Sequence, residues 1–297
     1  MPIPAISLII PTRNEEKLLR GCLEQFPKEL QQRYGIEIIV SDGGSTDATL
    51  TIASEYTSRI AKHEGISHRQ TIAEGRNSGT ALASGKILVF LNADTRIPNI
   101  TKFFERIKGR INTDPSLAAL AVKVEVIPEE RKLSDILFHG FFNQYVNVLN
   151  FLGIGMGRGE CQIVRRTAFD AVHGYNESLA AGEDFDLYNR LRKIGKIKYD
   201  GKLLVFESPR RYRKYGYAKV YSDWVKNGFS VLFRKKASSE VVMEDVPKKT
   251  KKRTESSSDD ENSLPVTTTK VRKTGDDVVQ LPVVKAKARV VRDEEED

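Results

Sequence analysis

The stretch that decides the fold is Ile36-Glu-Ile-Ile-Val-Ser-Asp-Gly-Gly-Ser-Thr-Asp47, an apolar run that ends in small polar residues and acids. Ile87-Leu-Val-Phe-Leu-Asn-Ala-Asp94 repeats this pattern farther along the chain. In an open α/β sheet, ligands bind at the carboxyl ends of the strands. Acids at two such ends predict a ligand that takes hydrogen bonds at one point and a divalent cation at the other. A nucleotide diphosphate meets both needs.

Strand-like and helix-like segments alternate along the chain, and the early strand-like segments are continuous apolar runs. Both features are typical of an α/β fold, with a mostly parallel sheet covered by helices on both faces. The pattern predicts strands at residues 5–10, 37–40, 86–91, 118–126 and 162–164. It predicts helices at residues 14–30, with Asn14 as the N-cap, and at 46–56, 75–83, 99–110 and 184–194.

A change of composition near Met243 divides the chain into a globular domain at residues 1–242 and a tail at residues 243–297. Lys, Ser, Thr, Asp and Glu dominate the tail, and aromatic residues vanish from it. Such a segment buries too little apolar area to offset its ordering entropy, so we predict a disordered polyampholyte tail. Lys248–Arg253 resembles a nucleic-acid patch, but the abundant acids around it argue against nucleic acid as a partner.

Cysteine usage and the lack of apolar segments bear on location. Cys22 and Cys161 are far apart and show no pairing pattern, which favours a reducing, cytoplasmic compartment. The N-terminus lacks the features of a signal peptide, and no stretch approaches the roughly 20 apolar residues of a spanning helix. We therefore expect a protein that is soluble or peripheral to a membrane.

Two aromatic-rich segments suit an anionic membrane surface. Phe138–Leu152 is the first, and Tyr215–Phe233 is the second, where aromatic residues alternate with Lys and Arg. Between Arg210 and Lys236 there are nine Lys or Arg residues against one acid. Aromatic side chains beside basic ones favour an interface with anionic lipids. Packing in the protein core is the alternative, and we favour it for much of the first segment.

Five motifs occur in a fixed order along the chain: Pro11–Glu15, Asp42–Asp47, Gly75–Gly79, Asn92–Asp94 and Gly182–Leu187. With these motifs, residues 5–235 resemble the inverting GT-A fold glycosyltransferases of family 2, which include cellulose, chitin and dolichyl-phosphate sugar synthases. The resemblance implies a Rossmann-like half that binds a nucleotide sugar, at about residues 1–125. It also implies an acceptor-binding half at residues 126–242.

The resemblance implies single-displacement transfer of a sugar from a UDP-sugar, or from GDP-mannose, to a hydroxyl or phosphate acceptor. The acceptor would be a sugar, a protein or a polyprenyl-linked molecule. Asp42 would accept hydrogen bonds from the base, and the Arg76 guanidinium would lie near the diphosphate. The plainer explanations are a helix-capping turn for Asp42, a surface arginine for Arg76 and a first-turn acid for Glu15. The donor contacts that the resemblance assigns are Pro11, Thr12, Glu15, Asp42, Arg76, Asn92 and Ala93.

Asp94 is the metal candidate, because a departing diphosphate develops charge that Mg²⁺ or Mn²⁺ can neutralise. The family more commonly has an acid at both ends of this motif, and here Asn92 takes the first place. An amide oxygen can assist the cation, or Asp94 can act through water. Asn92 also keeps open a second hypothesis, a catalytically inactive protein of this fold that binds or scaffolds. A simple turn acid is the plain alternative for Asp94.

Asp184 is the candidate general base, since an inverting transfer needs one carboxylate to take the proton of the attacking hydroxyl. Glu183 and Asp184 match the acid pair of the family on the acceptor side, and Gly182 would let the backbone approach the ligand. Capping of the helix is the alternative role for these acids. Asp186 is expected to pair with Arg190 at the i+4 position. Arg211, in the basic run at residues 210–215, is a further acceptor-side candidate, with a solvated basic face as the alternative.

Overall fold

The computed structural model describes residues 5–64, 68–179, 181–220 and 222. The strands of this part are β1 (Ile6–Thr12), β2 (Ile36–Asp42), β3 (Ile60–Lys62), β4 (Ile87–Leu91), β5 (Leu117–Val126), β6 (Cys161–Arg165) and β7 (Lys196–Glu207). The helices are α1 (Leu19–Leu23), α2 (Lys28–Tyr34), α3 (Thr49–Tyr56), α4 (Ile72–Leu82), α5 (Ile100–Thr113), α6 (Leu133–Phe151), α7 (Arg166–Ala171), α8 (Glu183–Leu191) and α9 (Arg210–Tyr215), with a 3₁₀ turn at Pro128–Glu130.

One sheet carries the fold, with the strand order β3-β2-β1-β4-β6-β5-β7. Neighbouring strands are parallel except at β6, which runs antiparallel to β4 and β5. Both faces are covered: Leu8 of β1 packs into a core with α1 and α5, while its neighbour Ile9 packs into a second core with α4 and α6. Alternate residues of a strand point to opposite faces, so a strand buried on both sides is apolar throughout. The predicted α/β class is confirmed.

The helix predicted at residues 14–30 is wrong as a single element. Asn14 has a left-handed backbone (φ +53°) and does not cap a helix. It ties β1 to the next loop, because its backbone N–H donates to Ser45 Oγ (2.9 Å) and its Oδ1 accepts from the N–H of Thr46 (2.9 Å). The segment then forms α1 and α2, and Pro27 begins the second, since proline cannot continue a helix from the preceding turn.

The last strand of the sheet, β7, was not predicted, whereas β6 corresponds to the strand predicted at residues 162–164. β7 pairs with β5 in parallel over Leu117 to Val126, with irregular register near Val122. The sheet therefore continues past residue 125, where the two predicted halves meet. The proposed boundary at residue 242 and the tail at 243–297 lie outside the described residues, as do four aromatic residues of the second segment: Tyr221, Trp224, Phe229 and Phe233. Among the helices that are described, none is long and apolar enough to cross a membrane.

Candidate functional site

Three neighbouring parallel strands bring the predicted donor contacts to one edge. Thr12 at the end of β1 pairs in register with Asp42 at the end of β2. On the other side of β1, β4 leads directly into Asn92 and Asp94. Because the strands are parallel, their carboxyl ends lie together. Both sequence clusters thus occupy the same edge of the sheet.

The carboxylate of Asp42 caps its own turn. Its Oδ2 accepts hydrogen bonds from the backbone N–H groups of Gly44 (3.0 Å) and Ser45 (2.9 Å), and its Oδ1 accepts from the hydroxyls of Ser45 and Thr12. A carboxylate has about four acceptor positions, so these bonds use all of them. Asp42 thus holds this turn together but does not cap a helix, because α3 follows Ala48 without a side-chain cap. A base N–H would have to displace one of the two hydroxyls, and this contact stays a prediction.

Arg210, the first residue of α9, joins Glu15 to Asp94. Its Nη2 lies 2.7 Å from Glu15 Oε1 and 3.3 Å from Asp94 Oδ2, and its Nη1 donates to Glu15 Oε2 at 3.0 Å. One cationic nitrogen therefore faces two carboxylates, one that follows β1 and one that follows β4. This is the place where the sequence predicts a divalent cation.

The carboxyl group of Asp94 lies where its charge is disfavoured. Burial raises the pKa of Asp94 to about 6, and Glu15 and Glu160 push it the same way, although Arg210 opposes them. Within the described part of the chain, no three His, Cys, Asp or Glu side chains group as metal ligands. Mg²⁺ is often held by one or two carboxylates and completed by phosphate oxygens. Because two carboxylates converge on one positive nitrogen, the donor set fits a cation of this kind.

Arg76 lies between the two halves of the site and is only 1% exposed. Its Nη1 donates to Glu183 Oε1 at 2.7 Å, while its Nη2 donates to the carbonyl of Gly159 at 2.7 Å and to Asn92 Oδ1 at 3.4 Å. Its guanidinium carbon lies 5.3 Å from the ring centre of Tyr175. The surface-arginine explanation is therefore wrong. Its contact with a diphosphate stays a prediction.

Asp184 stands in the first turn of α8, behind Gly182 in the left-handed conformation (φ +78°). The backbone N–H of Phe185 donates to Asp184 Oδ1 at 2.8 Å. Burial raises the pKa of Asp184 to about 7, Glu183 pushes it the same way, and Arg76 opposes both. A carboxyl group that titrates near neutral pH can take a proton from an acceptor hydroxyl. The geometry is therefore compatible with the predicted base.

The pair expected in the same helix is confirmed. Asp186 Oδ2 accepts from Arg190 Nε at 2.7 Å, and Arg190 Nη1 also donates to the carbonyl of Val172 at 2.6 Å. This bond turns Asp186 towards its own helix. Asp184 and Asp186 therefore belong to different environments although they share one turn.

A buried network behind Asp94 was not predicted. Arg158 Nη2 lies 2.9 Å from Glu160 Oε1 and 3.1 Å from Glu207 Oε1, and Arg158 Nη1 lies 3.3 Å from His139 Nδ1. The Tyr212 hydroxyl donates to Glu207 Oε1 at 2.8 Å. Burial raises the pKa of Glu207 well above its ordinary value, and it lowers the pKa of His139 to about 3. The network joins α6, β7 and α9 to the site. Its one signal in the sequence was the pair of opposite charges at Arg158 and Glu160, just before a strand.

The glycine-rich run at residues 153–159 packs closely against α8. A Cβ on Gly155 (φ +80°) would lie 2.6 Å from the carbonyl oxygen of Tyr188, and one on Gly157 would lie 2.4 Å from its ring. Glycine is needed wherever two backbones or a backbone and a ring approach this closely. The run thereby brings the carbonyl of Gly159 to Arg76.

The remaining predicted residues lie around this edge. Ala93 is buried behind Asp94, and Pro11 is half-buried in β1. Arg211 is half-buried in α9. The contacts with Glu15 and Asp94 come from its neighbour Arg210. The basic run was the signal for this helix, but residue type alone does not tell which arginine faces the acids.

Comparison with known proteins supplies the broader context. The sequence profile described as "Glycosyl transferase family 2" matches residues 7–172. A relative described as "PGL/p-HBAD biosynthesis glycosyltransferase", from Mycobacterium bovis (strain BCG / Pasteur 1173P2), is 37% identical over 97 residues, which are 32% of this chain and 37% of that protein. The chain therefore spans little more than a third of the length of this relative.

Two solved structures have a similar fold. The mannosyltransferase PcManGT from Pyrobaculum calidifontis, in complex with GDP-Man and Mn²⁺, has a TM-score of 0.60 at 17% identity, over 79% of this chain and 65% of that one. The S. aureus TarS fragment 1–349, in complex with UDP-GlcNAc, has a TM-score of 0.51 at 19% identity, over 68% and 58% of the two chains. At these identities the likeness extends to the fold alone.

Proposed function

The chain belongs to glycosyl transferase family 2, and from this premise we propose that it is an active, inverting glycosyltransferase. It would move a sugar from a nucleotide-diphosphate sugar to a hydroxyl or phosphate acceptor in a single displacement. The observation that carries the proposal is the position of Arg76, which is buried and bonds to Asn92 next to Asp94 and to Glu183 next to Asp184. One side chain thus connects the proposed donor end and the proposed acceptor end.

At the donor end, we propose that Asp94 and Glu15 hold Mg²⁺ or Mn²⁺ together with the donor diphosphate. The cation would supply neutralisation of the charge that develops on the leaving group. Arg210 already bonds to both acids and would stay near the diphosphate when it gives up this position. Pro11, Thr12, Asp42 and Ala93 would line the nucleotide, with the hydroxyl of Thr12 or Ser45 released from Asp42 when the base binds.

At the acceptor end, Asp184 would remove the proton from the attacking hydroxyl. Its raised pKa supports this role, because a base works best when its pKa lies near the working pH. Glu183 is held by Arg76 and would position Asp184 without touching the acceptor. Gly182 and Arg211 would lie on the acceptor side.

We favour UDP-sugars as donors and retain GDP-mannose. Proteins of similar fold have been solved with GDP-Man and with UDP-GlcNAc, which is consistent with both donor classes. Sugars, proteins and polyprenyl-linked molecules are the proposed acceptors, with peripheral binding to an anionic membrane for the last. We propose a reducing, cytoplasmic location, since Cys22 and Cys161 are buried free thiols. Whether the protein acts as a cellulose, chitin or dolichyl-phosphate sugar synthase does not follow from the family.

A second candidate is an inactive protein of the same fold that binds or scaffolds. Asn92 favours it, because the amide oxygen bonds to Arg76 at 3.4 Å where the family more often has an acid. The position of Asp94 and Asp184 argues for the enzyme. The two candidates differ in one measurable property, which is turnover of a bound donor.

A donor screen tests the proposal. Thermal shift with UDP- and GDP-sugars, with and without Mn²⁺, finds the donor without any acceptor, because a bound ligand raises the melting temperature. Release of nucleoside diphosphate from that donor then measures turnover with candidate acceptors. We expect Asp94→Asn to lose the Mn²⁺-dependent part of the shift and Asp184→Asn to keep it but lose turnover. Wild-type turnover in both variants would refute the assignments, and donor binding without turnover on every acceptor class would favour the scaffold.

A further inference from the structure

Helix α6 has mostly polar side chains on its buried face and large apolar side chains on its exposed face. Its buried face is largely polar and carries Asp135, His139, Asn143 and Asn150, with Phe142 and Val146 as the apolar members. A helix at the surface of a protein in water normally has the opposite arrangement, with apolar side chains towards the core and polar ones outside. The orientation of α6 therefore does not come from burial of its apolar residues against the protein.

Specific polar bonds hold the inner face of α6. Asn143 donates to the carbonyl of Val124 (2.9 Å) and accepts from its N–H (3.1 Å), as a neighbouring strand would. Asn150 bonds in the same way to the N–H and the carbonyl of Met156, at 2.9 and 2.7 Å. Asp135 is fully buried and paired with Arg213 at 2.5 Å. Because each contact is directional, these bonds fix which side of the helix faces outwards.

The outward face of α6 is largely apolar, with Gln144 and Asn147 as exposed polar members. Phe151 is 88% exposed, Leu133 is 70% exposed and Phe141 is 63% exposed. Of the eleven exposed large hydrophobic residues in the described part of the chain, nine lie between residues 133 and 154, and we call them the α6 face: Leu133, Ile136, Leu137, Phe141, Tyr145, Val148, Phe151, Leu152 and Ile154. Exposed apolar side chains clustered in this way along one helix indicate an interaction surface.

This corrects the expectation of core packing for the first aromatic segment. Phe142 is buried, and Phe138 is half-buried and stacks on it with ring centres 6.2 Å apart. The other aromatic side chains of α6 point away from the core. Packing in the core therefore accounts for two of the aromatic residues and leaves the α6 face to be explained.

The charges around the α6 face indicate what covers it. No charged side chain of α6 is exposed, since Asp135 and His139 are both buried. Arg131 and Lys132 are exposed at the start of the helix. At the other end, Arg192 approaches Gly153, and Lys193 follows it in the chain.

An apolar strip with Lys132 at its start and Arg192 and Lys193 at its end matches the layers of an anionic bilayer surface, where acyl chains lie beneath negative head groups. A helix of 19 residues is about 28 Å long, so it would lie along that surface. Acids also lie near the first end. Glu129 pairs with Arg96 at 3.0 Å and Glu125 pairs with Arg131 at 2.9 Å, while the side chain of Glu130 is exposed. The basic character of the strip is therefore strongest at the second end, where Arg192 and Lys193 lie.

We propose that the α6 face is the surface by which the protein lies on an anionic lipid bilayer. Given the proposed function, this makes a lipid-linked hydroxyl or phosphate the acceptor class. The inner face of the same helix supplies His139 to the network of Arg158 and Glu207 behind Asp94. A bilayer against the outer face thus lies one helix away from the donor end of the site.

Co-sedimentation of the full chain with vesicles tests this proposal. One set of vesicles is phosphatidylcholine alone, and the other contains about a third phosphatidylglycerol, each at low and high salt. We expect binding to the anionic set, weaker in high salt, and at least tenfold weaker partition for the double variant Phe141→Ser/Phe151→Ser. Leu82→Ser, at an exposed leucine of α4 away from the α6 face, is the matched control and should bind as the wild type does.

Three outcomes would overturn the proposal. Wild-type protein that stays in the supernatant with anionic vesicles excludes the bilayer. Equal binding of the double variant assigns membrane attachment to basic segments elsewhere in the chain. Self-association in the absence of vesicles that the double variant abolishes assigns the α6 face to a second copy. Nucleotide thermal shift of the same variants separates this test from the proposed function, because the donor end should respond normally in all of them.

Discussion

Replacing Asp184 with Asn removes a buried negative charge and keeps the size of the side chain. In the folded protein, burial and the neighbouring Glu183 raise the pKa of Asp184 from 3.8 to about 7. An aspartate in the unfolded chain titrates near 3.9. The carboxyl group therefore holds its proton more tightly in the folded state than in the unfolded state. The same property that suits a base should thus make Asp184 a cost to stability at neutral pH.

The sign and size of this cost follow from proton linkage. With the folded pKa above the unfolded one, the stabilisation from the protonated form is complete below about pH 4 and is lost as the pH rises through 7. The whole difference between the folded and unfolded pKa values corresponds to about 4 kcal/mol, at 1.36 kcal/mol for each tenfold change in proton affinity. Because Glu183 and Asp184 interact and one proton serves both, we expect Asp184 to lower the free energy of unfolding at neutral pH by about 2–4 kcal/mol. Wild type should therefore lose stability relative to Asp184→Asn between pH 5 and pH 8.

Urea unfolding at pH 5 and pH 8 measures the stability, and initial rates of diphosphate release measure the base. Loss of a general base should reduce kcat by roughly 10²- to 10⁴-fold. In the wild type, kcat/KM should rise with pH and level off above about pH 7. Asp186→Asn is the matched control, because Asp186 lies in the same turn as Asp184 but pairs with Arg190. A stability gap that does not grow with pH would refute the buried-charge argument, and a normal kcat in Asp184→Asn would refute the role as base.

Two further substitutions examine the arginines of the site. Arg76→Gln leaves Glu183 buried without its partner, so the free energy of unfolding should fall by about 3 kcal/mol in urea unfolding, and the midpoint of the pH–rate profile should move up. An unchanged midpoint would mean that Arg76 does not act on Asp184. Arg210→Gln removes the side chain that now occupies the two acids, so calorimetry should find Mn²⁺ bound several-fold more tightly in the absence of nucleotide. Arg213→Gln, whose arginine pairs with Asp135, is the control on the same helix, and equal Mn²⁺ affinity in all three proteins would contradict the competition.

The strand ends were predictable from the sequence because their signal is local. An apolar run followed by Asp42 or Asp94 predicts both a strand and its polar end. Parallel pairing of β1 with β2 and with β4 then brings these ends together. The same holds for the first turn of α8, where acids precede an amphipathic helix. In each case a few neighbouring residues contain the whole pattern.

The rest of the site depends on contacts between distant segments. Arg210 reaches Glu15 across 195 positions, and Arg76 reaches Glu183 across 107. The residues next to Arg76 and Arg210 in the sequence do not indicate that these arginines pair with Glu183 and Glu15. The split of the helix at 14–30 is different, since Pro27 was a visible breaker whose effect the apolar periodicity concealed.

Asn92 looked like a defect in the sequence, and the structure gives it a physical reason. Its Oδ1 lies 3.4 Å from Arg76 Nη2, and the same guanidinium is bonded to Glu183 and influenced by Asp184. An acid at position 92 would place a further negative charge beside Arg76, close to Glu183 and Asp184. Repulsion between these like charges would raise the pKa of Asp184 further. An amide accepts the hydrogen bond without that charge. With Glu15 available as the second carboxylate beside Asp94, the loss of an acid at position 92 is compatible with a working cation site.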